Sequence, residues 1–265
     1  MPKPHASKSE PRIASAPFAG RTALVTGGAR RIGRAIALAL ASAGANVAIT
    51  YRDSQPEAEE TVRALAAFGV DAFALRTDLA DAESIRQSVA AVIEEFGRLD
   101  ILVNNAGLFE QAALEQITPE QWDRVFATNT RAPFLVAQAA YPHLRAAHGR
   151  IVNIGSLGGM HPWATHAHYC TSKAALHMLS QTMAKAWAPE VSVNCVAPGM
   201  VEQESAELER IAPEELAAEY ARFAERTPMR RNGSAEDVAA AVLFFATGPH
   251  FITGQLLAVD GGLGL

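Results

Sequence analysis

The chain has 265 residues, 49% of them hydrophobic and 19% charged, with a formal net charge of -5. That composition supplies a large core and excludes wholesale disorder, and its negative balance leaves no electrostatic footprint for nucleic acid or an anionic membrane. No apolar run reaches the roughly 18 residues needed to span a bilayer, and the two cysteines, Cys170 and Cys195, fit a reducing cytoplasm better than a disulfide framework.

The opening segment, MPKPHASKSEPRIASAP, has basic residues with no apolar stretch behind them, so it does not read as a secretion signal. Its proline, serine and lysine predict a loose tail over residues 1–20, with a single domain over 21–265. TALVTG (22–27) is a short β-branched run, and RRIGRAIALALASAG after it has Ile32, Ile36 and Leu40 at helical spacing with Gly44 as a stop. NVAITY (46–51) predicts a strand and EAEETVRALAAFG a helix. AFALRT (72–77), a helix through 81–96 and DILVNN (100–105) continue the alternation. Helical stretches follow at about 118–129 and 133–147, then the strand RIVNIGS (150–156) and a long amphipathic helix over 166–188. SVNCVAPG (192–199) is a further strand. An acidic, helical insert at about 204–226, a helix from Ser234 to Ala246 and the strand LLAVDGG (256–262) close the chain.

Strands separated by helices predict parallel pairing with helices on both faces, an α/β doubly wound sheet of the Rossmann type. In such a sheet ligands lie beyond the carboxyl ends of the strands. TGG, YRD, NNAG, IGS and APG each end a strand, so they share that edge.

The stretch TGGARRIG (26–33) joins the first strand to the first helix. There, backbone N–H groups and a helix N-terminus suit a pyrophosphate. Gly27 supplies a positive φ and Gly33 close helix–strand packing. A free ribose 2′-hydroxyl calls for an acidic residue at the end of the second strand. This chain has Tyr51 and Arg52 there, with Asp53 only afterwards. Arg30 and Arg52 suit a 2′-phosphate, which guanidinium groups grip with forked, charge-assisted hydrogen bonds, so the sequence favours NADP(H) over NAD(H). The competing reading makes both arginines solvated surface charges.

In YCTSK (169–173), Tyr169 and Lys173 are four apart and share a helix face. A lysine ammonium favours the phenolate. At about 4 Å and an effective dielectric near 20 the attraction is on the order of 4 kcal/mol, comparable to about three pKa units before other terms. Ser156 ends the strand RIVNIGS, 13 residues before Tyr169.

With these residues in hand, residues 21–262 resemble the short-chain dehydrogenase/reductase family. The family's turn is T-G-x-x-x-G-x-G; here Arg31 stands at the second glycine, a variant similar to that of the pteridine reductases and their bacterial relatives. The resemblance implies that the Arg31 side chain faces the cofactor phosphates and the substrate, with Ile32 and Gly33 completing the turn. It implies hydride transfer from the nicotinamide to a carbonyl or imine carbon. Ser156 would polarise the acceptor, Tyr169 act as general acid, Lys173 lower the phenol pKa and bind the nicotinamide ribose, and Asn129 hold a water behind the lysine. NNAG, with Asn105, Ala106 and Gly107, would line the adenine pocket and steady the sheet. Asp78 and Leu79 in TDLAD would touch the adenine, although a carboxylate is favourable near the next helix N-terminus in any case. Pro198 and Gly199 would hold the nicotinamide face. The Asp260-Gly261-Gly262 turn and the apolar faces of 133–147 and 170–187 point to a homo-oligomer, a tetramer or dimer, with burial inside the monomer as the competing explanation.

His161, His166 and His168 cluster before Tyr169, but no cysteine or acid completes a ligand set; they read as a polar wall of the substrate pocket, and no metal is expected. Cys170 points off the tyrosine face and reads as a packing residue. Residues 200–226 occupy the family's substrate lid, with Met200, Tyr220 and Phe223 as apolar contacts. The substrate expected first is a ketone, 3-oxoacyl thioesters included. Arg31 motivates a pterin or dihydrofolate as the alternative, opposed by Ser156 where the protozoan pteridine reductases carry an aspartate. A non-catalytic NADPH-binding regulatory protein is the reading from another class, and the full serine, tyrosine, lysine and asparagine set argues against it.

Overall fold

The computed structural model describes residues 16–202 and 213–265. The expected tail up to residue 15, and residues 203–212 of the expected lid, lie outside the described residues. The strands β1 (Thr22–Val25), β2 (Asn46–Tyr51), β3 (Ala72–Arg76), β4 (Ile101–Asn104), β5 (Arg150–Ile154), β6 (Ser192–Pro198) and β7 (Leu256–Val259) form one sheet in the order β3-β2-β1-β4-β5-β6-β7. Every pairing is parallel. The connecting helices are α1 (Arg31–Ser42), α2 (Gln55–Ala66), α3 (Ala82–Phe96), α4 (Pro119–Phe126), α5 (Ala132–Ala146), α6 (Ala167–Trp187), α7 (Pro213–Arg226) and α8 (Ala235–Thr247). This is the doubly wound architecture expected from the sequence.

Side chains alternate along each strand, so each short apolar run feeds two cores. Ala23 and Val25 of β1, with Ile101 and Val103 of β4, pack against Ile36 and Leu40 of α1 and Val242 and Phe245 of α8. Leu24 and Leu102, between them in the strands, face Ile85 and Val89 of α3, Val136 and Leu144 of α5 and Met183 of α6. A strand covered on both sides has no polar face, and for that reason ALV and ILV run without interruption. The strand order reverses between β1 and β4, which opens a crevice at their carboxyl ends.

Two expectations need correction. The loose tail was expected to reach residue 20, yet Phe18 is only 1% exposed in the first core, and its N–H donates to Ala43 O at 2.9 Å. Burying a phenylalanine contributes about 1.5–3 kcal/mol, enough to hold the residues around it, so the ordered domain begins before residue 21. The helices expected at 118–129 and 133–147 join through a wide turn at Ala127–Arg131, in which Ala132 N donates to Ala127 O. Pro133 has no N–H with which to continue the ordinary ladder to Asn129 O, and the widened turn falls just before it.

Candidate active site

The turn between β1 and α1 is bare backbone. Gly27 has a φ of +64°, and a side chain there would meet Ala106 Cα at 3.1 Å; one at Gly33 would lie 2.5 Å from Asn105 Nδ2. Asn105 and Ala106 pin the turn from the neighbouring strand end. Thr26 Oγ1 accepts from Asn105 N at 3.0 Å and Ala106 N at 3.1 Å, and Asn105 Nδ2 donates to Thr26 O at 2.9 Å and Gly27 O at 3.1 Å. These bonds tie the NNAG segment to the turn after β1. Arg30 is the capping residue of α1, and its own side chain makes no capping hydrogen bond among the described residues. A glycine cradle facing a helix N-terminus without a side-chain cap fits a pyrophosphate.

Arg31 holds a φ of +52°, the left-handed conformation that a glycine would adopt without strain. The substitution in the turn thus keeps the backbone shape and adds a guanidinium. Burial pulls that guanidinium below its ordinary pKa, as does Arg30 beside it, while Tyr220 of α7 acts in the opposite direction. Ile32 packs half-buried against the first core.

At the far end of the crevice, Tyr51 leans on the first core and Arg52 is exposed at the tip of β2. Arg52 Nε donates to Asp53 Oδ2 at 2.6 Å. Arg76, which the sequence reading did not single out, donates from Nε to Arg52 O at 3.2 Å and brings a further guanidinium to this edge. Asp78 accepts from Ala80 N at 2.9 Å while Asp81 caps α3, and Leu79 packs against the second core.

Beyond the ends of β4 and β5 the four expected catalytic residues come together. Ser156 Oγ accepts from Gly158 N at 3.0 Å, which fixes its rotamer at the mouth of the turn after β5. Tyr169 and Lys173 project from one face of α6 toward that turn. Lys173 Nζ donates to Ile154 O at 2.8 Å and lies 5.9 Å from the centre of the Tyr169 ring. The sequence led us to expect the ammonium to lower the phenol; burial prevails instead and pushes Tyr169 up to about 12, opposed by the Ser156 hydroxyl beside it. Burial also pushes Lys173 down to about 8. The phenol thus stays protonated at neutral pH, the state a proton donor requires.

Asn129, fully buried in the wide turn, accepts from Leu108 N at 2.8 Å and donates to Leu108 O at 2.9 Å and Ser172 Oγ at 3.0 Å. Its amide fastens the loop after β4 to α6. A side chain at Gly107 would lie 3.3 Å from Asn129 Oδ1 and 3.4 Å from Lys173 Nζ, so the asparagine and the lysine flank the same point. Gly199 N donates to Val259 O at 3.0 Å, directly after Pro198 ends β6; a side chain there would lie 2.7 Å from Asp260 Cβ.

The phenol's other side is lined by Phe109, by His166 of the expected pocket wall and by Trp163, which the sequence did not single out. Phe109 meets the Tyr169 ring edge-on at 4.9 Å, Trp163 lies parallel to it at 6.1 Å, and His166 stacks on Phe109 at 4.8 Å. Of the histidine wall, His166 joins this aromatic group and His161 is exposed. His168 is instead fully buried, with Nε2 3.9 Å from Glu110 Oε2. Cys170 is buried, in keeping with a packing role.

This fold and this set of side chains define a dinucleotide-dependent oxidoreductase of the doubly wound class. Comparisons with known proteins narrow the class. A family model described as enoyl-(acyl carrier protein) reductase matches residues 27–264. The 3-oxoacyl-(acyl-carrier-protein) reductase FabG of Staphylococcus aureus is 37% identical over 246 residues, 92% of this chain and 98% of that protein. A short-chain dehydrogenase from Burkholderia cenocepacia, solved in complex with NADP, is 40% identical with a TM-score of 0.84, covering 94% of this chain and 99% of that one. A blue fluorescent protein from a metagenomic library, solved with NADPH, is 35% identical with a TM-score of 0.84 over 93% and 99% of the two chains. The chain belongs to the short-chain dehydrogenase/reductase family.

Proposed function

We propose that this chain is an NADP(H)-dependent reductase that converts a ketone, 3-oxoacyl thioesters included, to the alcohol. The observation that carries the reading is the convergence of Ser156, Tyr169 and Lys173 on the turn after β5, next to the glycine cradle at the head of α1. NADP(H) is supported by Arg30 at the head of α1, by Arg52 and Arg76 at the strand ends, by an Asp53 already engaged with Arg52, and by the cofactors in the two related structures.

When bound, the dihydronicotinamide supplies the hydride. Ser156 holds the acceptor oxygen, and its hydroxyl is pre-oriented by Gly158 N. Tyr169 gives its proton to that oxygen as the carbon accepts the hydride, and burial keeps the proton in place until then. Lys173 spends one proton on Ile154 O and has two left for the ribose hydroxyls and for a proton path past Asn129. Gly27, Ile32 and Gly33 would present backbone to the pyrophosphate, Arg31 would add a cation at its rim, and Tyr51, Asp78, Leu79 and Ala106 would surround the adenosine. Pro198 and Gly199 would back the nicotinamide. Tyr220 of α7, the described part of the expected lid, acts on Arg31, and Asn232 Nδ2 holds Tyr220 O at 2.9 Å. The chain assembles with copies of itself. Pro133, Val136 and Leu144 of α5 are buried within the monomer, but Phe134 and Leu179 join Trp122 and Phe126 in a solvent-facing groove.

A flat heterocycle such as a pterin is the second reading, favoured by Phe109, Trp163 and His166 around the phenol. The experiment that separates the two is NADPH oxidation with a β-keto ester and with biopterin under the same conditions. Turnover of the keto ester with little of the pterin is expected; turnover of the pterin alone would overturn the ranking.

A further inference from the structure

The turn after β5 is gripped by α6 at three side chains, and one of them has no place in the chemistry above. Tyr169, Lys173 and His177 stand at four-residue intervals on one helix face. Tyr169 meets Ser156 at the hydroxyl, and Lys173 donates to Ile154 O. His177 Nε2 accepts a long hydrogen bond, 3.4 Å, from Ser156 N. The ring is 8% exposed and sits in a space that two glycines leave open. A side chain at Gly159 would lie 2.5 Å from His177 Cε1 and 2.8 Å from the Lys173 carbonyl carbon, and one at Gly155 would overlap the imidazole and lie 2.9 Å from Cys195 Sγ. No other side chain accepts from Ser156 N among the described residues.

We propose that His177 is a positioning residue for Ser156: its neutral imidazole accepts from the Ser156 backbone and sets where the serine hydroxyl stands relative to Tyr169. For Nε2 to accept, the ring proton must sit on Nδ1. Burial, with the Lys173 ammonium next to it, pushes the imidazole down to about 4 and so keeps it neutral through the working range. Two ends of one turn are thereby held by one helix: Lys173 fixes the carbonyl of residue 154 and His177 the amide of residue 156, with Ser156 between them and the substrate. Displacing a serine by a fraction of an ångström reduces turnover without loosening the cofactor, because geometry at the reacting atoms enters the rate steeply.

The inference rests on Ser156 acting on the acceptor oxygen, and the test separates the two. His177→Leu, His177→Gln, Ser156→Ala and the double variant Ser156→Ala/His177→Leu are assayed for steady-state reduction of a β-keto ester and for NADPH binding. Expected is an approximately tenfold lower kcat for His177→Leu, with KM and the NADPH Kd within about twofold of wild type, and recovery of most of the loss in His177→Gln, whose amide oxygen can accept. In the Ser156→Ala background the leucine should add almost nothing, because the residue it positions is gone. An unchanged kcat in His177→Leu, or an equal loss with and without Ser156, overturns the positioning role while leaving the proposed function intact. Full activity in Ser156→Ala overturns both.

Discussion

Replacing Arg31 with glycine should make the unliganded protein more stable and its hold on NADPH weaker. The backbone at this residue has a φ of +52°. A left-handed conformation costs a non-glycine residue roughly 1–2 kcal/mol. The greater freedom of glycine in the unfolded chain offsets roughly 0.5–1 kcal/mol of that relief. About 0.5–1 kcal/mol of net backbone stabilisation remains; losing the repulsion from Arg30 adds to it and losing the attraction to Tyr220 subtracts. For a domain of this size that corresponds to a Tm higher by about 1–4 °C. The guanidinium is meanwhile lost from the rim of the pyrophosphate cradle. A hydrogen bond to a charged group contributes about 1.5–3 kcal/mol, so the NADPH Kd should rise roughly 10- to 150-fold. Thermal unfolding of the apo variant and calorimetric titration with NADPH measure the two effects on one preparation. A lower apo Tm would show that the side chain stabilises the turn by packing, and an unchanged Kd would remove Arg31 from the cofactor site.

Two further outcomes follow from the site. Arg52→Asp should lower the preference for NADPH over NADH about tenfold, the effect of one exposed charge-assisted contact already shared with Asp53; an unchanged ratio of the two Kd values would leave Arg30 and Arg76 as the sole readers of the 2′-phosphate. Lys173 is pushed down to about 8 from 10.5, so between those values the unfolded chain holds a proton there that the folded chain lacks, and stability rises with pH across that window. Below about 8 both states are protonated and the full penalty of the buried ammonium is present. Urea unfolding of wild type and Lys173→Met on either side of the window should show wild type gaining stability relative to the variant as pH rises; parallel profiles would mean that the ammonium is not desolvated. Tyr169, pushed up to about 12 from 10.0, and Cys195, pushed up to about 11 from 9.0, act with the opposite sign above their ordinary values in both proteins, so the Lys173 contribution is the difference between the two profiles.

Much of the fold was legible because the sheet is covered on both sides. Strands such as ALV and ILV must then be apolar throughout, and each ends in a small polar or glycine-rich stretch that marks the ligand edge. The tyrosine–lysine pair was legible because its spacing is a property of one helix. What the sequence hid are contacts made between elements far apart in the chain. Thr26 receives the amides of residues 105 and 106 across 79 and 80 positions, and Asn129 fastens Leu108 across 21. Nothing local marks those side chains as partners. His177 lies on a helix that the sequence marks only as amphipathic, and only the turn that meets it shows its acceptor nitrogen against Ser156 N. The rise in the Tyr169 pKa was hidden for a similar reason: the sequence displays the nearby charge, whereas the desolvation that outweighs it belongs to the packed site. Phe18 was overlooked because the proline, serine and lysine before it have the composition expected of a loose tail, although its own ring fills the first core.

The most direct test of the account follows deuterium from NADPH labelled at the transferable position into a β-keto ester, in single turnovers of wild type and Tyr169→Phe. Removing a general acid slows such a step by roughly 10²–10⁴. The account predicts label on the carbinol carbon in wild type, unchanged NADPH binding in the phenylalanine variant, and transfer slower by that factor. Transfer at the wild-type rate without the phenol would contradict it.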